Sequence, residues 1–418
     1  MIRRPPRSTL SSSSAASDVY KRQKQSVIEG QEVVIYASKF SRKKDQTSTV
    51  KNISSEEIEI LPVEDLGAVI NMQAGVVAGH FRGGRRDEVS YMIDGVPVND
   101  AFGGVSAVSN LEVEAVQDLE VITGTFNAEY GNAMSGIVNA VTKDGSNEFH
   151  GSFNSGFSTY ITENKRNGDE VFIGLDPFGI NSNSDLKFSL SGPVIKDRLY
   201  FFTNFRTQDV SGHLNGVRRF EVWNLSNFYD QDSSKWFSEN TGDSSYVPMN
   251  KGQYSSFMGK LSYNLGSIKL ALKLNVNNSI SRGYSHIYKY NPDGRSYGDG
   301  TTTLTMFQLN HFLNEKMFYD VKYSITDNDY GSYVFEDYDG YKVLTEDGIH
   351  QGVYHFAGDT IYNYVNDKYM TAYGTGFFTG GQDKGHLNRI TKTYNFKSDF
   401  TWQVTNAHSI KTGFSFIS

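Results

Sequence analysis

From Phe149 onward the chain repeats with a period of two, over stretches longer than a globular protein normally needs. Leu186, Phe188 and Leu190 alternate with Lys187, Ser189 and Ser191. Ile268, Leu270, Leu272, Leu274 and Val276 alternate with Lys269, Ala271, Lys273 and Asn275. Met317, Tyr319, Val321, Tyr323 and Ile325 alternate with Phe318, Asp320, Lys322, Ser324 and Thr326, and Tyr394, Phe396, Phe400 and Trp402 with Asn395, Lys397, Asp399, Thr401 and Gln403. Successive side chains of a strand point to opposite faces, so each run carries one apolar and one polar face. Globular strands usually have about five or six residues, and these runs reach about ten. In water the apolar face must pack on a second sheet. In a bilayer it can face lipid while the polar face lines a lumen.

The pattern marks candidate strands at 147–158, 185–193, 198–207, 253–264, 267–278, 303–313, 316–328, 393–403 and 407–417. Lys196-Asp197 and Gly266 make tight turns, whereas 208–252, 279–302 and 329–392 are long, polar and aromatic. Short turns at one end and long loops at the other are what outer-membrane barrels show. The 26 tyrosines and 28 phenylalanines are many for so polar a chain, and interfacial aromatic girdles would use them. The mean hydropathy is negative and no apolar run of roughly 18 residues occurs, so no membrane-spanning helix is expected. Cysteine is absent, which removes disulfides, thiolate zinc sites and cysteine nucleophiles. The formal charge of −7 is unclustered and argues against a nucleic-acid partner.

Residues 46–146 are a different material, with short apolar segments cut by glycine. Ser54 and Glu57 have capping-box spacing for a helix that should stop near Leu61-Pro62. Pro62 can open a second helix, with Leu66, Val69 and Ile70 on one face and Gly75 closing it. Phe81–Gly84 and Val89–Asp94 read as paired strands joined through Arg85-Arg86-Asp87. Asp94-Gly95 is a turn dipeptide, and Pro97 keeps the next segment out of a central strand. Val113–Leu119 reads as helical, with strands at Leu119–Thr123 and Ile137–Thr142.

These motifs carry a family resemblance. Phe81-Arg82-Gly83-Gly84, then Tyr91 to Pro97 with Asp94-Gly95, resemble the plug signature of TonB-dependent outer-membrane receptors. Glu120 to Gly124, then Glu129-Tyr130-Gly131 and Ser135-Gly136-Ile137-Val138-Asn139, are similar to the same family's plug-to-barrel transition. The resemblance covers about residues 31–150 by motif and the remainder by pattern. It implies a mixed fold: a small α/β plug at 46–146, then antiparallel transmembrane β-barrel strands over 147–418. Nine strands fall short of the roughly 22 of a plugged transporter, so the chain is read as fragmentary, with an incomplete barrel.

The resemblance also implies a function, a place and partners. A receptor of this kind takes up a scarce solute across the cell outer membrane, in contact with outer-membrane lipid. It is driven by a TonB-type periplasmic energy-coupling protein, and a surface lipoprotein is a further candidate partner. The segment Glu32-Val33-Val34-Ile35, within the 24–45 linker, is either the coupling box or else the first plug strand or the end of a preceding domain. QEVVIY before the plug resembles receptors of Bacteroidota, many of which carry an added N-terminal β-sandwich. Met1–Gln23 has no apolar stretch for a signal peptide. It resembles a translated sequencing-adapter read-through, the alternative being a native Ser-rich leader, and the signal peptide is expected to lie upstream.

No catalytic constellation, cofactor or metal site is expected. The nine histidines are scattered, and the His350/His355 pair lacks further spaced ligands. Asp337-Tyr338-Asp339-Gly340 and Asp293-Gly294 have calcium-loop flavour but read better as turns. Arg82, Arg85 and Arg86 are expected to pair with Asp87, Glu88, Asp94 or the barrel wall. Loop aromatics Trp223, Tyr229, Trp236, Tyr338, Tyr341, Tyr354, Tyr362 and Tyr364 could stack on flat ligands or simply pack. A β-rich surface adhesin without transport is the alternative class. It keeps the alternation and leaves the plug motifs unexplained.

Overall fold

The computed structural model describes residues 49–63, 65–99, 111–124, 126, 130–131, 133–175, 182–336, 350–356, 360–371, 376–405 and 407–418. Glu32–Ile35, Glu129 and the 337–340 loop lie outside the described residues. Thr47–Ser418 forms one compact unit, in which a small mixed domain sits against a long antiparallel sheet.

The small domain begins with β1 (Thr49–Ser54) and α1 (Ser55–Glu59). The Ser54 hydroxyl accepts from the Glu57 amide at 3.4 Å, and the Glu57 carboxylate accepts from the Ser54 amide at 3.0 Å. This is the predicted capping box. The second helix, α2 (Leu66–Asn71), starts later than Pro62 predicts. Asp65 caps it through the Ala68 amide at 2.7 Å, and a carboxylate cap defines a helix start better than a proline does. Leu66, Val69 and Ile70 are all buried, as the shared face requires.

The remaining strands of the domain are β2 (Val89–Ile93), β3 (Val96–Pro97), β4 (Val116–Thr123) and β5 (Gly136–Thr142). They join β1 in a five-stranded sheet of order β1-β4-β5-β2-β3. The expected pairing of 81–84 with 89–94 does not form. His80–Phe81 instead pairs back on Val76–Val77, while β2 runs parallel to β5. Burial explains the choice, because β2 is buried on both faces and belongs in the sheet's interior. Asp94 and Gly95 both have positive φ, 50° and 77°, as a two-residue hairpin turn between β2 and β3 needs. Pro97 lies on the edge strand. The helix read at 113–119 shrinks to a 3-10 turn at Val113–Ala115, since Val116, Leu119, Val121 and Ile122 are all buried within sheet strand β4.

Nine strands follow: β6 (His150–Ser158), β7 (Asn183–Ile195), β8 (Leu199–Val210), β9 (Gly252–Leu265), β10 (Ile268–Ser281), β11 (Tyr297–Asn314), β12 (Met317–Tyr333), β13 (Leu387–Gln403) and β14 (Ser409–Ile417). Each pairs antiparallel with the next in chain order. Every candidate strand is present, and most run further than the alternation does. β11 begins at Tyr297 rather than 303 because Gly298 to Thr303 continue the backbone ladder without an apolar face. The loops read at 279–302 and 329–392 are correspondingly shorter.

Register aligns the apolar side chains into rows across the sheet. Phe153, Phe188, Phe205 and Phe257 are direct neighbours on β6 to β9. Leu261, Leu272, Phe307, Tyr323, Phe396 and Phe416 form a second row on β9 to β14. Every one of these residues is exposed. The opposite face holds buried Lys260, Lys273, Asn204, Asn275, Ser324 and Asn395, and it is the face that meets the small domain. No second sheet covers the apolar rows among the described residues. About ten contiguous large apolar groups left open is far more than a water-facing surface carries, and it is the outer surface of a membrane barrel.

Candidate functional site: the seat of the plug on the wall

The seat has an apolar centre. Phe202, Met258, Leu304 and Met306 of the wall join the buried core of the small domain, alongside Leu66, Val89, Leu119 and Val138. Polar contacts flank it, and in the strongest of them the wall supplies cations and the small domain carboxylates.

Lys260 and Lys273 are direct cross-strand neighbours on the inner face. Like charges so placed repel. The turn between β2 and β3 resolves the conflict by inserting Asp94. Its Oδ2 accepts from Lys273 Nζ at 2.6 Å, and the two side chains are 8% and 3% exposed. Asp94 also accepts from the Thr142 amide at 2.8 Å and the Thr142 hydroxyl at 2.7 Å. Lys260 donates to Thr142 Oγ1 at 3.1 Å and pairs with Asp144 at 2.8 Å, and Lys269 pairs with the same carboxylate at 2.7 Å. Burial alone would raise the Asp94 carboxyl. The charges of Lys273 and Lys260, with the bonds from Lys273 and Thr142, outweigh it and hold Asp94 well below the usual range. Burial is outweighed in the same way at Asp144, by Lys260 and Lys269.

Further contacts gather on the same turn. Lys397 Nζ donates to the Gly95 carbonyl and Asn395 to the Pro97 carbonyl, each at 3.4 Å. A Cβ on Gly95 would lie 3.2 Å from Lys322 Nζ. A cavity of about 290 Å³ opens beside it, lined by Asp94, Asn139, Asp144, Lys260, Lys269 and Lys322 among others. Toward the other flank Arg206 bridges Asp185 of β7, at 2.6 Å, and Glu112 of the small domain, at 3.1 Å. Here burial prevails over Arg206, and the Glu112 carboxyl is raised. Lys187 meets Glu114 at 3.3 Å. Asn204 Oδ1 and both amide atoms of Asn275 are buried on the inner face, and no hydrogen bond from the described residues reaches them.

The residues of the glycine motifs have different fates. Asp94 and Gly95 lie at the centre of the seat. Gly84 and Gly136 are packing positions: a Cβ on Gly84 would press on Ser135 and Glu88, and one on Gly136 would enter the Phe81 ring. Gly83 has φ of 82° and open space around it. Tyr130 packs against the small cluster of Met92, Ile122 and Ile137. Nothing in the described contacts explains why Gly131 is glycine. Among the described residues no ion pair joins Arg82, Arg85 or Arg86 to Asp87, Glu88 or Asp94, and the Glu88 carboxylate accepts instead from the Arg85 amide. Arg82 donates to Thr49 Oγ1 and Arg86 to the Ala78 carbonyl, while Asp94 takes its partner from the wall. Lys260, Lys269, Lys273, Arg206, Glu112 and Asp144 were not singled out by sequence as a site. Their signal was the presence of lysines on the lumen face of apolar strands.

At the long-loop end, Arg218, Trp223, Arg282, Asp293 and Phe335 line a cavity of about 400 Å³. Asp293 is engaged by Arg218 at 2.6 Å, which fits the turn reading of Asp293-Gly294. Trp236 donates to the Asp230 carbonyl and Tyr229 lies under Lys368. Tyr338 and Tyr341, and the side chains of His350, His355, Tyr354, Tyr362 and Tyr364, lie outside the described residues. No cluster of three metal-ligating side chains occurs among the described residues.

A compact domain held by its carboxylates on the lumen face of a lipid-facing sheet defines a plugged membrane β-barrel. The TonB-dependent Receptor Plug Domain family matches residues 42–137. Over that stretch the chain is similar to the plug of TonB-dependent receptors. It is 37% identical over 127 residues to the TonB-dependent transporter Oar of Myxococcus xanthus, covering 30% of this chain and 12% of that protein. It is 29% identical over 178 residues to the ferrienterobactin receptor of Escherichia coli K12, covering 36% of this chain and 21% of that one. The outer membrane transporter YddB of Escherichia coli shares the fold, with a TM-score of 0.51 at 12% identity over 88% of this chain and 47% of the other. The chain thus spans less than half the length of each of these relatives.

Proposed function

We propose that this protein works in the cell outer membrane as a TonB-dependent transporter of a scarce solute. In this reading residues 46–146 are the plug, 147–418 the adjoining barrel strands and 24–45 a linker carrying the coupling box at Glu32–Ile35. A TonB-type periplasmic protein adds a strand to that box and pulls. The protein itself does no bond chemistry. A surface lipoprotein that hands over solute is compatible with the long loops.

The observation that carries this reading is the chemistry of the seat. The wall's paired lysines are neutralised by plug carboxylates, and several buried amides of the interface have no hydrogen-bond partner among the described residues. An interface whose small apolar centre is flanked by imperfectly satisfied polar contacts is weaker than a domain core and can be separated by force while the plug's own sheet stays intact. An adhesin has no need of a lumen face complementary to its own N-terminal domain. Uptake by the full-length protein should be lost when Glu32–Ile35 is deleted. Uptake unchanged by that deletion would contradict coupling there. Heat-modifiable gel migration of the detergent-extracted protein is expected, and a water-soluble monomer would favour the adhesin.

A further inference from the structure

The same wall carries a charge imbalance that matters only when the plug moves. Inward-facing bases on the nine strands include Lys187, Arg206, Lys260, Lys273, Lys322 and Lys397, with Lys269 and Lys411 nearer the rims of the sheet. The carboxylates on that face, within the same depth, are Asp185, Asp320 and Asp399. With the plug seated, Asp94, Glu112, Glu114 and Asp144 make up the deficit. Lys322 and Lys397 have partners on the wall itself, Asp320 and Asp399, each at 3.4 Å. Lys260 and Lys273 do not. Their carboxylates leave with the plug.

We infer that the passage opened along this wall is a cationic lane, and that the transported solute is an anion. The inference rests on the transport reading and deepens it by naming the substrate class. When Asp94 and Asp144 withdraw, two directly opposed lysines are left exposed to the lumen with no acid between them. Rings and strips of Lys and Arg are how pores favour anions. The exposed lysines also offer a solute carboxylate or phosphate the bonds that Asp94 and Asp144 have just released, so an anionic solute replaces the plug's own charges as it passes. A cationic solute would meet repulsion at the same place.

The test uses the full-length protein in a planar bilayer, with the plug reversibly unseated by urea from the plug side and a potassium chloride gradient across the membrane. The reversal potential should report chloride selectivity. Lys260→Gln with Lys273→Gln should lower the chloride-to-potassium permeability ratio by about fourfold per lysine, the Coulomb effect of one charge at about 10 Å in water acting with opposite sign on the two ions. Because removing both leaves Asp94 buried without a partner, Lys322→Gln with Lys397→Gln serves as a second variant that spares the seat's ion pairs. It should move the ratio in the same direction. Cation selectivity of the open channel, or a ratio unmoved by both variants, overturns the cationic lane while leaving transport intact. No conductance on unseating overturns the transport reading, and the inference with it.

Discussion

The ion pair between Asp94 and Lys273 should govern how firmly the plug is held. Both side chains are almost fully buried and 2.6 Å apart, so solvent screening is minor. Asp94→Asn keeps the shape of the turn and an oxygen for the Thr142 amide. It leaves Lys273 charged, buried and facing its cross-strand neighbour Lys260. Breaking a buried pair by removing one partner costs about 3–5 kcal/mol. Taking about 3 kcal/mol as the share borne by seating, the unseated population should rise about a hundredfold. Replacing both charges, as in Asp94→Asn with Lys273→Met, removes the uncompensated cation and should return seating to within about 1 kcal/mol of the parent. The chain contains no cysteine, so Ala271→Cys, on the wall beneath the plug, gives a single reporter. Its alkylation rate at fixed urea reads the unseated fraction. The reasoning is refuted if Asp94→Asn labels within twofold of the parent, or if the double variant is worse than either single one.

Other perturbations test other links. Glu112→Gln should cost only about 1 kcal/mol, because Arg206 keeps Asp185 and an amide oxygen still accepts from it; the same labelling assay checks this. Asp94 has a depressed carboxyl, so its contribution is present above the usual carboxylate range and is lost as pH falls. Parent seating should therefore weaken below about pH 4, and Asp94→Asn should lack that component, read as the urea concentration that opens the channel. Gly136→Ala should destabilise the plug by about 1–3 kcal/mol through overpacking on Phe81, seen as a lowered denaturation midpoint. Leu272→Arg, on the exposed row, should cost about 2–4 kcal/mol of stability in lipid if it lies near the midplane, measured by folding into vesicles.

Much of this fold was legible because period-two patterning is a local signal. Lys269 to Val276 alternate without exception, and the structure keeps their two faces apart. The capping box at Ser54 and Glu57 is equally local. What could not be read was partnership. Val89–Ile93 is apolar but for Ser90, which says it is central without saying that its neighbour is the distant Gly136–Thr142. The helix read at 113–119 failed because Val116, Leu119 and Ile122 also have near-helical spacing, and burial in a sheet decided the matter. The extra length of β11 was hidden because Gly298 to Thr303 are held by backbone bonds, which composition does not advertise. The seat joins Asp94 to Lys273 across 179 positions of sequence, and nothing local links a turn dipeptide to one lysine among many. The glycine motifs located the turn, but its charge partner required the sheet's register.

Spin labels placed singly from Leu270 to Asn275, except at Lys273, in the full-length protein, reconstituted in lipid, test the account most directly. Labels at Leu270, Leu272 and Leu274 should be relaxed strongly by oxygen dissolved in the bilayer. Those at Ala271 and Asn275, which spare the Lys273 ion pair, should be shielded from oxygen and from water-soluble reagents while the plug is seated. Equal accessibility along the strand, or aqueous reagents reaching Leu272 and Leu274, would contradict a lipid-facing wall closed on a plug.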